Sequence, residues 1–475
     1  MKKFITILLT LALIFGLCAC GGASGGKDGL KVGFGRASIL PDDSVALGGG
    51  DASARQSDGY LDPIYATCIA LTEGDQTILL YTLDLITVTL KTYEAQTRIS
   101  QETGIPEDNI ILNCTHTHSA PSLGSGVSGT YLEKFFQACT DAAIQAIDDQ
   151  APASIYYGVS ETENVNFIRH YYTSDGGIVG VHQGSISEAA EHEYDANEDV
   201  QVIKFTRDTE GKKDIVLMNF GTHPHIVSQK QTYAISADWP GAARSYVEEN
   251  ADVYCAVFQS NAGDTTPHTR FVELNGDGYR LNHVGTGTSV GEVCVSVLNG
   301  EMTKAEGSGI NLSIKRYTNA SMKEGIDDPE LMSQASNIAA LRQQYGSSHI
   351  LVSQAVAASD LDTHYEANGL VSRQNYPESF TMSLHTLAVD GISFIFAPFE
   401  MFTSTGEYIK ENSPYDMTFL VSCSETPEGH MGYIPDENGC EKNYYEYDVT
   451  KWARGTAEDV AKAYVEMLTE TKNAG

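Results

Sequence analysis

The chain has 475 residues, of which 41% are hydrophobic, and its formal net charge is -33. This composition can bury a sizeable core, which argues against disorder, and the length allows one large catalytic domain or two to three ordinary ones. A surface this acidic repels phosphate groups, which argues against nucleic acid as a partner and against basic patches that bind anionic lipid.

The N-terminus has the pattern of a bacterial lipoprotein signal. Lys2 and Lys3 precede an apolar stretch from Phe4 to Leu17, which is shorter than the roughly 18 residues of a membrane-spanning helix. The stretch ends in the sequence Leu-Cys-Ala-Cys, which resembles the lipobox and implies cleavage before Cys20 and lipidation of its thiol. An ordinary secretory signal cut nearby is the alternative.

These features predict three regions. We expect residues 1–19 to be the signal peptide, residues 20–29 to be a Gly/Ser-rich tether, and residues 30–475 to be the catalytic domain. The domain would then be held by a lipid anchor at the extracytoplasmic face of the cell membrane.

Seven cysteines follow the signal segment. Their number is odd and no two have C-x-x-C spacing, which argues against a disulfide framework and against a thiolate zinc site. We expect most of them to be small buried apolar residues.

Apolar stretches alternate with helix-like stretches along the rest of the chain. This alternation indicates an α/β fold in which mixed β-sheet layers are flanked by helices. Apolar periodicity predicts a helix from Tyr131 to Asp148 and another that begins at Thr456. The stretch 301–372 is harder to interpret, and we expect a peripheral insertion or a small subdomain there. Apolar runs predict strands at Thr77–Leu83, Asn109–Asn113, Asp214–Asn219, Val253–Gln259, Ile392–Ala397 and Met417–Ser422.

Polar clusters directly follow four of these strands. In chain order they are His116-Thr117-His118, His223-Pro224-His225, Asn261-Ala262-Gly263-Asp264 and Glu400. Ligands of sheets flanked by helices bind beyond the carboxyl ends of strands. We therefore expect the four clusters to converge on one crevice.

The two His-x-His pairs point to a metal. On an extended chain such a pair places both imidazoles on one face, because side chains alternate along a strand. Two adjacent imidazoles can serve as two metal ligands, or as one ligand and one acid/base group. If the sequence contained only one His-x-His pair, two histidines with a purely structural role would be the alternative. Imidazoles together with a carboxylate match the ligand preferences of zinc.

The segment Asn113–Pro121 resembles the signature of the neutral/alkaline, non-lysosomal ceramidase family. Four further segments stand in the family's order, and together the resemblance extends from about Val32 to near the C-terminus. It implies a zinc-dependent hydrolase of linear amides with one Zn²⁺ per chain, acting on N-acyl sphingosine or another N-acyl amide with a zinc-activated water. The further segments are Asn219–Pro224, Ser236–Gly241, Asn261–Pro267, and Gly432–Pro435 followed by Tyr445-Glu446.

The resemblance also implies a role for individual residues. His118 would be an active-site acid/base rather than a ligand, Tyr445 would lie near the reacting carbonyl, and Arg169 would stabilise the oxyanion. Thr266 stands where the family has an active-site serine, and its methyl group restricts rotation of the hydroxyl, so this departure bears on which amide is the substrate. The zinc ligands would be His116, His223, Glu400 and Tyr433.

Three aspartates are candidates to orient the ligand histidines: Asp84, Asp238 and Asp264. Each of them is equally suited to cap a helix or stabilise a turn.

Three other functions compete with this interpretation. One is a zinc hydrolase of a non-lipid amide or ester, and another is a lipoprotein that binds a solute without catalysis. The third is a serine hydrolase, because Gly287–Gly291 fits G-x-S-x-G around Ser289. A nucleophile elbow needs a strand before the serine and a helix after it, and the preceding residues do not have a strand pattern.

Overall fold

The computed structural model describes residues 29–49, 55–124, 126–180, 189–229, 233–267, 282–307, 309–424 and 426–474. The predicted signal peptide, Cys20 and nearly all of the tether lie outside these residues. No helix in these ranges combines the length and the apolar character needed to cross a membrane.

Three mixed β-sheets form the centre of the fold, and each contains one parallel pair of strands. The first sheet has the order β4-β3-β2-β1-β5, the second β13-β12-β11-β6-β15, and the third β16-β17-β18-β20. The parallel pairs are β3–β4, β12–β13 and β18–β20. The strands are β1 Lys31–Ser38, β2 Tyr65–Glu73, β3 Gln76–Leu83, β4 Ile110–Cys114, β5 Ala151–Pro152, β6 Ser154–Glu161, β11 Asp199–Thr206, β12 Ile215–Phe220, β13 Tyr254–Gln259, β15 Thr303–Lys304, β16 Ile310–Ala320, β17 Ser379–Val389, β18 Ile392–Phe396 and β20 Thr418–Val421.

Short strands form smaller sheets near one end of these three. Strand β7 pairs with β14, β8 pairs with β9 and β10, and β19 pairs in parallel with β21. Their bounds are β7 Phe167–Ile168, β8 His170–Thr173, β9 Ile178–Gly180, β10 Ala189–His192, β14 Thr265–Thr266, β19 Glu400–Met401 and β21 Tyr433–Ile434.

Helices cover the outer faces of the sheets. Helices α1 and α2 pack on the first sheet, α4 and α5 on the second, and α9 and α12 on the third. The helices are α1 Leu90–Thr103, α2 Gly129–Asp148, α3 Ile226–Gln229, α4 Asp238–Ala251, α5 His283–Asn299, α6 Pro329–Tyr345, α7 Ile350–Ala357, α8 His364–Gln374, α9 Thr403–Asn412, α10 Glu437–Glu441, α11 Tyr445–Val449 and α12 Thr456–Ala474.

The inner faces of the three sheets share one apolar core. Phe34 and Ile69 of the first sheet, Phe205 and Phe258 of the second and Phe394 of the third belong to the same buried cluster. Burial of one such side chain contributes roughly 1.5–3 kcal/mol. Because both faces of these strands are covered, the strands are apolar throughout rather than alternating.

Buried polar side chains join the three sheets near the carboxyl ends of their parallel strands. The Asn219 amide in β12 donates to the carbonyl of Leu420 in β20 at 2.8 Å. The Asn113 amide in β4 donates to the carbonyl of Ser422, and the Thr82 hydroxyl in β3 donates to the carbonyl of Val257 in β13. These bonds bring together the strand ends from which the polar clusters emerge.

The mixed-sheet α/β fold predicted from the sequence is confirmed, and each of the predicted strands and both predicted helices appear within a few residues of their expected bounds. The burial of the cysteines is also as expected, since all seven within the described ranges are buried, and no disulfide joins any two of them.

The stretch 301–372 has two parts. Its first part supplies β15 and β16 to the second and third sheets. Its second part contains α6, α7 and most of α8, which bury a small apolar cluster of their own around Ala335 and Ile338. Helix α8 packs closely on α11, because a Cβ atom on Gly369 would lie 2.0 Å from the carbonyl of Asp448.

The serine-hydrolase alternative finds no support in the fold. Gly287–Gly291 lies inside helix α5, so Ser289 is in a helix interior and not at a turn between a strand and a helix.

Candidate metal centre

Three imidazoles meet beyond the carboxyl ends of β4 and β12. The Nε2 atom of His116 lies 3.2 Å from that of His223 and 3.4 Å from that of His118, and the Nε2 atoms of His118 and His223 are 3.0 Å apart. His116 and His223 are buried, whereas His118 is partly buried. The predicted convergence of the strand-end clusters is therefore observed for both histidine pairs.

The other ring nitrogens show why the Nε2 atoms form an electron-rich centre. The Nδ1 atom of His116 lies 2.6 Å from the carbonyl oxygen of Ile86, and that of His223 lies 3.0 Å from the carbonyl of Ala262. A carbonyl only accepts, so each Nδ1 carries the proton and donates it. The two Nε2 atoms then face each other across 3.2 Å. Burial lowers the pKa of His116, but Cys423 and Glu400 outweigh it and hold the pKa well above its usual range, so a cation that binds between the rings takes the place of a proton on His116.

A carboxylate completes this cluster. The Oε2 atom of Glu400 lies 3.2 Å from Nε2 of His116 and 3.9 Å from Nε2 of His223. The same oxygen is buried and accepts no hydrogen bond within the described part of the chain. Burial raises the pKa of Glu400, but the charge of a protonated His116 ring and the contact of Oε1 with His430 outweigh it, so the pKa is held well below its usual range.

These residues fit a zinc ion. Zinc takes tetrahedral nitrogen and oxygen ligands, and its Zn–N bonds of about 2.0–2.1 Å place two nitrogen ligands about 3.3 Å apart. The three Nε2 separations lie between 3.0 and 3.4 Å. Burial lowers the pKa of His118 to about 3, with His116 contributing, and holds the pKa of His223 well below its ordinary value. Both rings are therefore neutral, so His223 has the form that metal ligation requires and His118 has a ring nitrogen that can accept a proton.

Tyr433 and Arg169 lie beside this cluster. Tyr433 in β21 is the direct strand partner of Glu400 in β19. The guanidinium carbon of Arg169 lies 5.3 Å from the centre of the Tyr433 ring, and the ring of Tyr445 packs edge-on against Tyr433 at 5.9 Å. The structure thus brings both predicted tyrosines and the predicted arginine next to Glu400, while their individual roles stay predictions.

The position of Thr266 links it less directly to the histidine cluster than the positions of Tyr433 and Arg169 do. It lies in β14 opposite Phe167, two residues before Arg169, and no hydrogen bond links it to the histidines among the residues that the structure describes. Its role as the counterpart of an active-site serine stays a prediction.

One detail of the sequence-based geometry is wrong. The backbone of the first pair is not extended, because His116 has a φ of 69°. Strand β4 ends at Cys114, and a turn then directs the amide of His116 to the carbonyl of Leu85 at 3.0 Å. A non-glycine residue in this conformation costs about 1–3 kcal/mol, and such strain is concentrated at functional sites.

The groups that orient the histidines are backbone carbonyls, which decides between the two roles that were open for the three aspartates. Backbone carbonyls hold the Nδ1 atoms of His116 and His223, and the three candidate aspartates are occupied elsewhere. Asp84 pairs with Arg244, Asp238 accepts the amides of Val227 and Trp239, and Asp264 accepts the amide and hydroxyl of Thr403. A backbone carbonyl that accepts a hydrogen bond from Nδ1 fixes the same imidazole tautomer as a carboxylate would. No aspartate is therefore needed to orient these two rings.

Four nearby residues were not anticipated from the sequence. The Nε2 atom of His430 lies 3.3 Å from Oε1 of Glu400, and the Cys423 sulfur lies 3.4 Å from Nδ1 of His116. The Arg55 guanidinium donates to the carbonyl of His118 at 3.3 Å. Glu446 pairs with Arg169 at 2.5 Å. Of these four residues, only Glu446 had a signal in the sequence, because it belongs to the segment Tyr445-Glu446 that resembles the ceramidase family.

Comparison with known proteins gives consistent matches. Residues 32–283, more than half of the chain, match the family described as neutral/alkaline non-lysosomal ceramidase, N-terminal. Neutral ceramidase A of Dictyostelium discoideum is 31% identical over 187 residues, which cover 34% of this chain and 24% of that protein. The aligned stretch thus spans about a quarter of this curated relative.

Two solved structures share the fold. The neutral ceramidase of Pseudomonas aeruginosa superposes with a TM-score of 0.67 at 15% identity, over 94% of this chain and 75% of that one. A ceramidase complexed with C2 gives a TM-score of 0.68 at 15% identity, over 94% and 76% of the two chains.

Proposed function

Because the chain belongs to the neutral/alkaline non-lysosomal ceramidase family, we propose that it is a zinc-dependent amidohydrolase of ceramide or another N-acyl lipid amide. The observation that supports this most is the convergence of three imidazole Nε2 atoms within 3.4 Å, with Glu400, Tyr433 and Arg169 beside them. The similarity to proteins named ceramidases supports a lipid amide as the substrate class.

The proposed ligands are His116, His223, Glu400 and Tyr433, with one Zn²⁺ per chain. A zinc ion bound there supplies Lewis-acid chemistry, because it polarises a carbonyl and lowers the pKa of water to around 7. Arg169 has a fixed positive charge and donors for the oxygen that becomes negative when the amide carbonyl is attacked. The Nε2 atom of His118 is positioned to take a proton from the attacking water and return it to the leaving amine, a role worth about 10²–10⁴-fold in rate.

A panel of amides and esters tests the proposal. We expect the full-length protein to hydrolyse N-acyl sphingosines or related N-acyl amides, to lose this activity when a chelator removes the metal, and to regain it with zinc. Matched esters of the same acyl chains are the control. Cleavage of the esters alone would refute an amidase, and chelator-resistant activity would refute the zinc dependence.

Two alternatives remain distinct outcomes of this panel. Cleavage limited to short, non-lipid amides would indicate the non-lipid hydrolase. A protein that contains no stoichiometric zinc and cleaves nothing in the panel would indicate the solute-binding lipoprotein.

We also propose that the chain is exported and anchored by a lipid on Cys20, as the lipobox-like sequence indicates. Fatty-acid labelling in a bacterial host should mark the wild type and not the Cys20→Ser variant. Equal labelling of both chains would contradict the anchor.

A further inference from the structure

A buried ion pair lies behind the candidate oxyanion donor. The Nε atom of Arg169 donates to Oε1 of Glu446 at 2.8 Å, and Nη2 lies 2.5 Å from the same oxygen. Arg169 is 5% exposed and Glu446 is fully buried. Removing one partner of such a pair leaves an uncompensated charge in the interior, so the two residues depend on each other.

The remaining contacts of Arg169 fix its direction. Its Nη2 donates to the carbonyl of Gly263 at 2.7 Å, its amide donates to the carbonyl of Asp264 at 2.9 Å, and the guanidinium lies over the Tyr433 ring. Glu446 therefore occupies one edge of the guanidinium, on the Nε and Nη2 side. Arg169 also donates a hydrogen bond to the Tyr433 side chain, so Glu446, Gly263 and Tyr433 together fix the guanidinium.

Glu446 is itself held from the opposite side. Its Oε2 lies 3.2 Å from Nε2 of His170, and the His170 ring is stacked on Tyr444 with a centroid distance of 3.7 Å. Burial raises the pKa of Glu446, but the charges of Arg169 and His170 outweigh it and lower the pKa to about 2. The carboxylate is thus ionised, and it links helix α11 to Arg169 and to His170 at the start of strand β8.

We propose that Glu446 is a positioning residue that fixes the Arg169 guanidinium against Tyr433 and thereby orients Arg169 for the substrate carbonyl. This inference rests on the proposed function. A displacement of about 1 Å at a catalytic group costs up to 10²-fold in rate, so the carboxylate should act on turnover more than on substrate binding.

An effect of Glu446 on turnover can also be transmitted through its neighbour Tyr445. Both lie in the first turn of helix α11, so loss of the buried carboxylate could displace the Tyr445 ring instead of the Arg169 guanidinium. Residues that act as a unit have non-additive effects on the rate. If Glu446 acts through Arg169, changes at these two residues should be non-additive, and if it acts through Tyr445, changes at Glu446 and Tyr445 should be non-additive instead.

Double-mutant cycles separate the routes. We expect Glu446→Gln to reduce kcat by about 10–10²-fold with little change in KM, and Arg169→Met to reduce it at least as much. The combined variant should be no slower than Arg169→Met alone. The cycle of Glu446→Gln with Tyr445→Phe should instead be additive.

The same cycle can be measured without turnover, through the affinity of the zinc-loaded protein for octanoate, a carboxylate like the acyl product. Glu446→Gln should weaken octanoate binding, and the combination with Arg169→Met should weaken it no further than Arg169→Met alone. This readout applies even if the amide panel shows no hydrolysis, so a failed function and a failed positioning role give different results.

Stability controls complete the test. Asp149→Asn breaks an ion pair between the partly exposed Asp149 and the buried Arg207, whose Nη1 lies 2.6 Å from Oδ2 of Asp149 at the opposite end of the second sheet. This variant should lower Tm without changing kcat. Additive effects in the Arg169 cycle, or unchanged kcat and octanoate affinity in a folded Glu446→Gln variant, would overturn the inference.

Discussion

Alanine at His116 or His223 should remove the zinc ion and reduce amide hydrolysis by about a thousandfold or more. The two Nε2 atoms face each other at 3.2 Å, and each ring is fixed by an Nδ1 bond to a backbone carbonyl. This is the arrangement of ligating histidines, whose second nitrogen is held by the protein. Loss of several kcal/mol of electrostatic stabilisation corresponds to roughly three powers of ten in rate.

Metal analysis of the purified variants checks this prediction, with His225→Ala as the matched control. His225 completes the second His-x-His pair, and its ring lies 5.0 Å from that of His223, but its Nδ1 contacts the His223 carbonyl. We expect this control to keep one zinc ion per chain. Full zinc occupancy in either the His116 or the His223 variant would exclude that residue as a ligand.

The large sheets could be predicted from the sequence because their strands are apolar on both faces. Strands such as β4 and β18 are buried at every position, so a short continuous apolar run between polar residues is a sufficient signal. The small strands β7, β14, β19 and β21 have only two residues each. Their pairing depends on contacts between distant segments, and local periodicity does not encode it.

The candidate site was predictable where a polar cluster follows a strand, and not elsewhere. His116, His223 and Glu400 met this condition. His430 and Cys423 lie in the irregular segment before β21 and reach the cluster only through the tertiary fold. The turn at His116 was also hidden, because its positive φ results from bonds to the loop after β3 rather than from the local sequence.

His118 can be distinguished from the two proposed ligand histidines by how its ring is held. His116 and His223 each donate Nδ1 to a carbonyl, and no such bond is found for His118 in the described ranges. Its ring packs instead against Gly49, where a Cβ atom would lie 2.6 Å from Nδ1, and its backbone is fixed by Pro224 and Arg55. Glu400 and Tyr433 supply the remaining ligands in the proposed set.

His118→Ala should therefore keep its zinc ion and lose about 10²–10⁴-fold in kcat, the usual contribution of a general acid/base. His118→Gln is the matched variant, because its amide fills part of the same space and can hydrogen-bond but cannot exchange a proton at neutral pH. Both variants should contain one zinc ion per chain and be equally slow. The Nε2 atom of His118 lies as close to that of His223 as His116 does, so geometry alone also permits ligation. Loss of zinc in both variants would make His118 a third imidazole ligand and transfer the proton-transfer role to another group.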